Sequence, residues 1–259
     1  MTDEVTAPVV LTERRGRVLV VTLNRPQARN AVDGAVAAAI AEAMDLLDSD
    51  PELSVGVLTG AGGFFCAGMD LKAFLRGESP RIEGRGFAGL VEATPGKPLI
   101  AAVDGPALAG GFEIVLAADL VVAAPTATFG LPEVRRGLVA AAGGLSRLPA
   151  RLPRAIALEM ILTGASKTAE QLHPHGLVNR LAPEGEVLAA ALDLAEEIAA
   201  NGPLAVRASK KVVDESTGWS PAETFERTRQ IVMPVFGSND AREGAAAFTE
   251  RRTPVWTAT

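Results

Sequence analysis

Basic excess is absent from this chain. Its 259 residues carry 25 lysines and arginines against 31 aspartates and glutamates, for a net charge of −6. A nucleic-acid backbone is held by clustered cations, so a nucleic-acid partner is not expected. Cysteine is nearly absent too. The one thiol, Cys66, rules out an internal disulfide and fits a reducing, cytoplasmic compartment. Histidine occurs only as His173 and His175, with no third ligand pattern near them, so no metal site is expected. Without a histidine base close by, Cys66 reads as core filler rather than a nucleophile. The chain has no phosphate-loop Gly-Lys-Ser/Thr. Gly144-Leu145-Ser146-Arg147 lacks the glycine two places after serine that a nucleophile elbow requires. The opening Met1-Thr2-Asp3-Glu4 lacks the basic-then-apolar order of a signal peptide. Segment 105–125 is the most span-like, yet it contains Glu113 and Asp119, each costly in a bilayer. It reads as buried interior, and no membrane contact is expected.

What is present is ordinary globular composition, 48% hydrophobic and 22% charged, on a chain long enough for a sizeable core. Arg17 to Asn24 reads as a buried strand stopped by Arg25-Pro26. A helix follows, with Asn30 as the expected N-cap, Asp33 in its first turn, and apolar Val32, Val36, Ile40, Ala43 and Leu47 on one face. Strands are expected at Val55 to Thr59, Leu99 to Val103 and Leu120 to Ala123, with a helix from about Gly110 to Ala118. This order argues for stacked β/α units with largely parallel strands. Arg76 to Lys97, rich in glycine and charge, reads as a long mobile loop with a short helix near Phe87 to Glu92. Arg147, Arg151 and Arg154 read as a solvated face. Beyond about residue 200, helices are expected near 204–215, 221–236 and 240–250. Such a tail cannot bury its apolar faces alone and should pack on the core or on another subunit.

Two glutamates lie in otherwise apolar surroundings, Glu113 in Ala109-Gly110-Gly111-Phe112-Glu113 and Glu133 in Phe129-Gly130-Leu131-Pro132-Glu133. A buried carboxylate is costly unless paired or used. One alone at a helix start is commonly structural. Two of them beside glycines that bare backbone N–H groups suggest an acid/base pair facing an oxyanion pocket. In the first turn of its helix, Glu113 is expected to stay ionised and act as base. Glu133, leaving a strand, is expected to be desolvated and act as acid.

With Leu23-Asn24-Arg25-Pro26, Asn30-Ala31, Phe65-Cys66-Ala67-Gly68-Met69-Asp70-Leu71-Lys72, Gly176-Leu177-Val178 and the tail Ala247 to Arg252, the set resembles the enoyl-CoA hydratase/isomerase (crotonase) superfamily over nearly the whole chain. The resemblance implies an α/β fold: a spiral of ββα units over residues 1–200 holding an acyl-CoA site, then a helical trimerisation region over 201–259. It implies a homotrimer or homohexamer. It implies that the N–H groups of Met69 and Gly110 bind the thioester oxygen, that Glu113 activates water, and that Glu133 exchanges the proton at Cα. Ala67, Gly68, Asp70 and Leu71 would lie along the CoA moiety. Arg25 and Lys72 would meet its phosphates, and Arg251 would do so from a neighbouring subunit. CoA arrives as part of the substrate, so no separate cofactor is implied.

Both glutamates favour an enoyl-CoA hydratase over an isomerase. Gly86-Phe87-Ala88-Gly89-Leu90, Gly111-Phe112-Glu113, Leu131-Pro132-Glu133 and Pro254-Val255-Trp256 are similar to the carnitinyl-CoA dehydratase branch. An isomerase, a thioester hydrolase and an acyl-CoA binder without turnover remain as alternatives. The chain departs from the family pattern at Arg135-Arg136, where many hydratases are less charged. It departs again at Val139 to Gly144, a turn without the usual proline. Met69 replaces a frequent alanine, but only its N–H is needed. These departures bear on acyl specificity.

Overall fold

A computed structural model describes residues 7–259, so the acidic opening Met1 to Glu4 lies outside the described residues. The main sheet has six strands in the order Val10–Arg15, Val18–Leu23, Val55–Gly60, Leu99–Val103, Leu120–Ala123 and Arg180–Leu181. The first two pair antiparallel and the others pair parallel. Parallel strands are covered on both faces, which is why Leu99–Val103 is an unbroken apolar run, buried throughout.

Each crossover leaves the main sheet through a second layer before its helix. Val18–Leu23 leads to Val32 and then to helix Gly34–Ser49. Val55–Gly60 leads to Cys66 and Met69, then to helix Leu71–Leu75. Leu99–Val103 leads to strand Ala107–Leu108, then to helix Gly110–Ala117. Leu120–Ala123 leads to strand Thr128–Gly130, then to the 3-10 turn Pro132–Arg136. In the second layer Val32 bridges Met69, Cys66 bridges Ala107, and Ala107–Leu108 pairs with Phe129–Gly130, all parallel. This is a spiral of ββα turns. Because the second layer is itself a parallel row, the chain leaves its segments along one edge, and the helix starts line up there.

The first helix begins later than expected. Its N-cap is Asp33, whose carboxylate accepts the Val36 N–H at 3.0 Å. Asn30, with φ of 54°, instead locks the preceding loop. Its Oδ1 accepts the Arg25 N–H at 2.9 Å, and its Nδ2 donates to the Ala61 and Phe64 carbonyls at 2.8 and 2.7 Å. Segment 76–97 also differs from expectation. It forms a hairpin of Arg81–Ile82 with Gly86–Phe87 and then turns, with no helix at 87–92. Phe87, Ala88, Leu90 and Val91 are buried in the core, so burial of apolar side chains outweighs the glycines. The arginines 147, 151 and 154 do not form one solvated face. Arg147 donates to the Val91 carbonyl at 2.6 Å and Arg151 donates to that of Ala118, while Arg154 stays exposed. Buried carbonyls without sheet partners recruit them.

Helices Pro203–Ser216 and Pro221–Phe236 bury no residue, and Asn239–Glu250 buries only Asp240 and Ala247. They are tied to the core by the Lys210 Nζ, 2.7 Å from Asp119, and by the Trp256 indole, which donates to the Ala200 carbonyl at 2.8 Å. Asp240 folds the last residues back by accepting the Thr257 N–H at 2.7 Å. Among the described residues no helix is long and apolar enough to cross a membrane.

Candidate active site

The edge described above opens into a cavity of about 630 Å³. Glu113 and Glu133 both line it, with Met69, Gly110, Ala67 and Leu71. Another cavity, about 770 Å³, lies on the tail helices Pro203–Ser216 and Pro221–Phe236, away from both glutamates.

Met69 sits opposite Val32. The Val32 N–H donates to the Gly68 carbonyl at 2.8 Å, and the Asp70 N–H donates to the Val32 carbonyl at 2.9 Å. A parallel bridge uses the groups on either side of Met69 and leaves its own N–H turned the other way. Gly110 begins its helix, where an N–H has no intrahelical acceptor. Among the described residues, neither N–H has a hydrogen-bond partner. Glycine brings the two segments together: a Cβ on Gly68, whose φ is +93°, would lie 3.0 Å from the Gly110 nitrogen and 2.9 Å from the Ala109 Cβ.

Ala109 sets the direction of the helix start. It holds φ of 52° and ψ of −129°, a conformation that costs a non-glycine residue about 1–3 kcal/mol. Its N–H donates to the Gly130 carbonyl at 2.9 Å, and its carbonyl accepts Phe112 and Glu113 N–H groups at 2.9 and 3.1 Å. These bonds over-determine the strained backbone.

Glu113 is 3% exposed, and all eight residues of its helix are buried. The N–H groups of Ala142 and Gly144 donate to its Oε1 at 2.7 and 2.9 Å. Desolvation opposes the ionised form expected of it at a helix start. Burial pushes its pKa up, and the two amides with the charge of Arg147 only partly pull it back. Glu133 is raised as well, by burial first and then by the nearby charge of Glu113, against the pull of its own N–H and of Arg136. Its Oε2 is buried without a hydrogen-bond partner, unlike the clamped Glu113. Cys66 is fully buried with its thiol pKa pushed up to about 12 by desolvation, which suits core filler and no nucleophile.

The other expected site residues fall outside the cavity wall. Gly68 lies behind Met69. The Arg25 guanidinium is 3.0 Å from both Asp33 and Asp70, and it donates to the Ala31 carbonyl at 2.6 Å. Asp70 also caps the helix Leu71–Leu75 by accepting the Lys72 and Ala73 N–H groups. Arg25 and Asp70 thus build the wall from behind. Lys72 is exposed beside it. Arg251 ends the last helix with φ of 56° and does not line the cavity. The sequence reading missed Arg29, Phe74, Phe87, Leu108 and Leu138 as lining residues, while Arg136 and Val139, singled out there for acyl specificity, do line the cavity. Phe87 alone had a signal, a phenylalanine framed by glycines. Its ring would be 2.6 Å from any Cβ on Gly110.

The chain belongs to the enoyl-CoA hydratase/isomerase family, whose model matches residues 13–259. It is 42% identical over 254 residues to the enoyl-CoA hydratase EchA19 of Mycobacterium tuberculosis, covering 95% of this chain and 96% of that one. It is 43% identical over 251 residues to a carnitinyl-CoA dehydratase of Salmonella typhi, covering 94% and 96%. The crystal structure of an enoyl-CoA hydratase from Mycobacterium tuberculosis superposes with a TM-score of 0.96 at 60% identity, over 97% of this chain and all of that one.

Proposed function

We propose that the protein is an enoyl-CoA hydratase, adding water reversibly across the double bond of a trans-2-enoyl-CoA. One observation carries this reading: a clamped, buried Glu113 and an unpartnered buried carboxylate oxygen of Glu133 share one cavity with two free backbone N–H groups. In this reading the thioester oxygen lies between the Met69 and Gly110 N–H groups. Water held by the glutamates loses its proton to Glu113 as its oxygen bonds to Cβ. Electrons of the double bond move to the thioester as an enolate, held by the two N–H groups. Glu133 then gives its proton to Cα, and the proton taken by Glu113 passes back to Glu133 for the next turnover, so the net change is one water added. The two amides favour an ionised Glu113, and the unpartnered Glu133 favours its protonated form. CoA comes with the substrate and no further cofactor is assigned. A cytoplasmic setting and a trimer or dimer of trimers through residues 201–259 belong to the same proposal.

The test is the ultraviolet absorbance of crotonyl-CoA over time. Loss of the conjugated band without free thiol supports hydration. Thiol release would indicate a hydrolase, and a conjugated product from a 3-enoyl-CoA an isomerase. Tight acyl-CoA binding without turnover would indicate a silent binder. The Salmonella typhi relative favours one further reading, a carnitinyl-CoA dehydratase-like lyase. Incubation with carnitinyl-CoA, followed by the appearance of the same band, separates that case.

A further inference from the structure

We propose that Arg136 is a specificity-determining residue that favours acyl groups with an anionic far end, such as a carboxylate, and disfavours a quaternary ammonium there. This rests on the hydratase reading above.

Arg136 ends the 3-10 turn Pro132–Arg136 that begins beside Glu133. In a 3-10 helix residues three apart share a face, one turn of about 6 Å apart. Both Glu133 and Arg136 line the cavity. The other cavity cations differ in their engagement. Arg81 is 2.5 Å from Glu92, and Arg29 lies 5.4 Å from the centre of the Phe64 ring. Among the described residues Arg136 makes no hydrogen bond and no close ion pair, though Glu133, one turn back, feels its charge. Arg135 next to it is engaged, donating to the Thr163 carbonyl at 3.0 Å.

Position decides which part of the substrate Arg136 meets. The thioester carbon carries the acyl chain on one side and sulfur on the other. With Glu133 at Cα, as the hydratase reading has it, the proposed seat of the acyl end is the wall one turn along, where Arg136 and Glu133 line the same cavity. Leu138 and Val139 follow Arg136 there and suit a short alkyl stem. A guanidinium at the end of that stem pairs with a carboxylate in a forked geometry and repels a trimethylammonium group. Among the described residues the aromatic lining is Phe74 and Phe87, weaker cation partners than tryptophan or tyrosine.

The experiment compares kcat/KM for three trans-2-enoyl-CoA probes of matched length, ending in methyl, carboxylate or trimethylammonium. The wild-type protein should prefer carboxylate to trimethylammonium by at least about tenfold. In Arg136→Gln that ratio should fall toward one, and in Arg136→Glu it should invert. The change should appear mainly in KM. A ratio unmoved by both substitutions, with methyl-ended substrate still hydrated, overturns the assignment and leaves the hydratase reading intact. An equal rise in KM for all three probes also overturns it, since Arg136 would then serve a CoA phosphate. No hydration of any probe by the wild-type protein overturns both readings together.

Discussion

At the scale of single residues, the two glutamates carry opposite demands. A carboxylate that must stay protonated, or change state, is held where folding would prefer no charge. Glu113→Gln and Glu133→Gln should each lower kcat by about 10²- to 10⁴-fold. Calorimetric titration should still show acyl-CoA binding by both. Full turnover in either variant would remove that residue from its role. Because the folded protein raises both pKa values, both limbs of the kcat/KM profile should lie above the ordinary glutamate value of 4.5. Stability follows with a definite sign. A raised pKa means that folding favours the protonated acid. This contribution is full at low pH and is lost as pH rises through the folded value. Glu133→Gln should therefore melt higher than the parent at pH 8. The gain should vanish near pH 4. A lower melting point at pH 8 would show that Glu133 has a stabilising partner.

At the scale of elements, the site depends on two backbones meeting without side chains. Gly68 faces the helix start Gly110–Ala117 across a gap that a methyl group would close. Gly68→Ala should force Met69 and Gly110 apart and lower kcat by about 10²-fold, the usual effect of losing one oxyanion donor. Circular dichroism should remain that of the parent, since the main sheet is untouched. Unchanged turnover would mean that the two N–H groups do not act together. Both motifs were legible in the sequence as glycine-rich runs before apolar helices. The clamp on Glu113 was not. Ala142 and Gly144 donate through backbone N–H groups, and although a Cβ on Gly144 would lie 3.1 Å from the Glu113 Oε1, a glycine by itself does not say which distant carboxylate it faces. Asn30 shows the same limit. Its type suits a cap, yet a loop with three bonds to satisfy captured it first.

At the scale of the whole molecule, the tail is the least self-sufficient part. Phe225, Phe236 and Phe248 are 78%, 72% and 87% exposed on helices that bury almost nothing in this chain. Apolar surface of that kind is expected to be covered by other copies. Light scattering should give a mass three or six times the 26.8 kDa of one chain. A monomer would sink the trimerisation proposal. Within one chain the tail is pinned by Lys210, 10% exposed and bonded to Asp119 at 2.7 Å and to the Lys97 carbonyl at 3.0 Å. Removing one partner of a sheltered pair strands the other. Lys210→Ala should cost about 1–3 kcal/mol and speed proteolysis between 203 and 259. Equal proteolysis rates would place the anchoring elsewhere.

Residue pattern marked the central strands and their largely parallel pairing, because buried parallel strands need unbroken apolar runs such as Leu99–Val103. It also determined the tail helices, because Pro203, Pro221 and Ser238 mark their starts. It identified both glutamates, since charge amid apolar residues stands out along a chain. Tertiary structure alone decided which cationic side chains face the cavity. Arg25, Arg29 and Arg136 are alike in type, and only packing turns Arg25 onto two aspartates and leaves Arg136 along the acyl wall. It also decided that segment 76–97 is packed down, since burial of Phe87, Leu90 and Val91 depends on a core supplied by distant strands. Local propensity acts over a few residues. The direction of a long side chain, and the burial of a glycine-rich segment, are set by neighbours that the spiral brings from far along the chain.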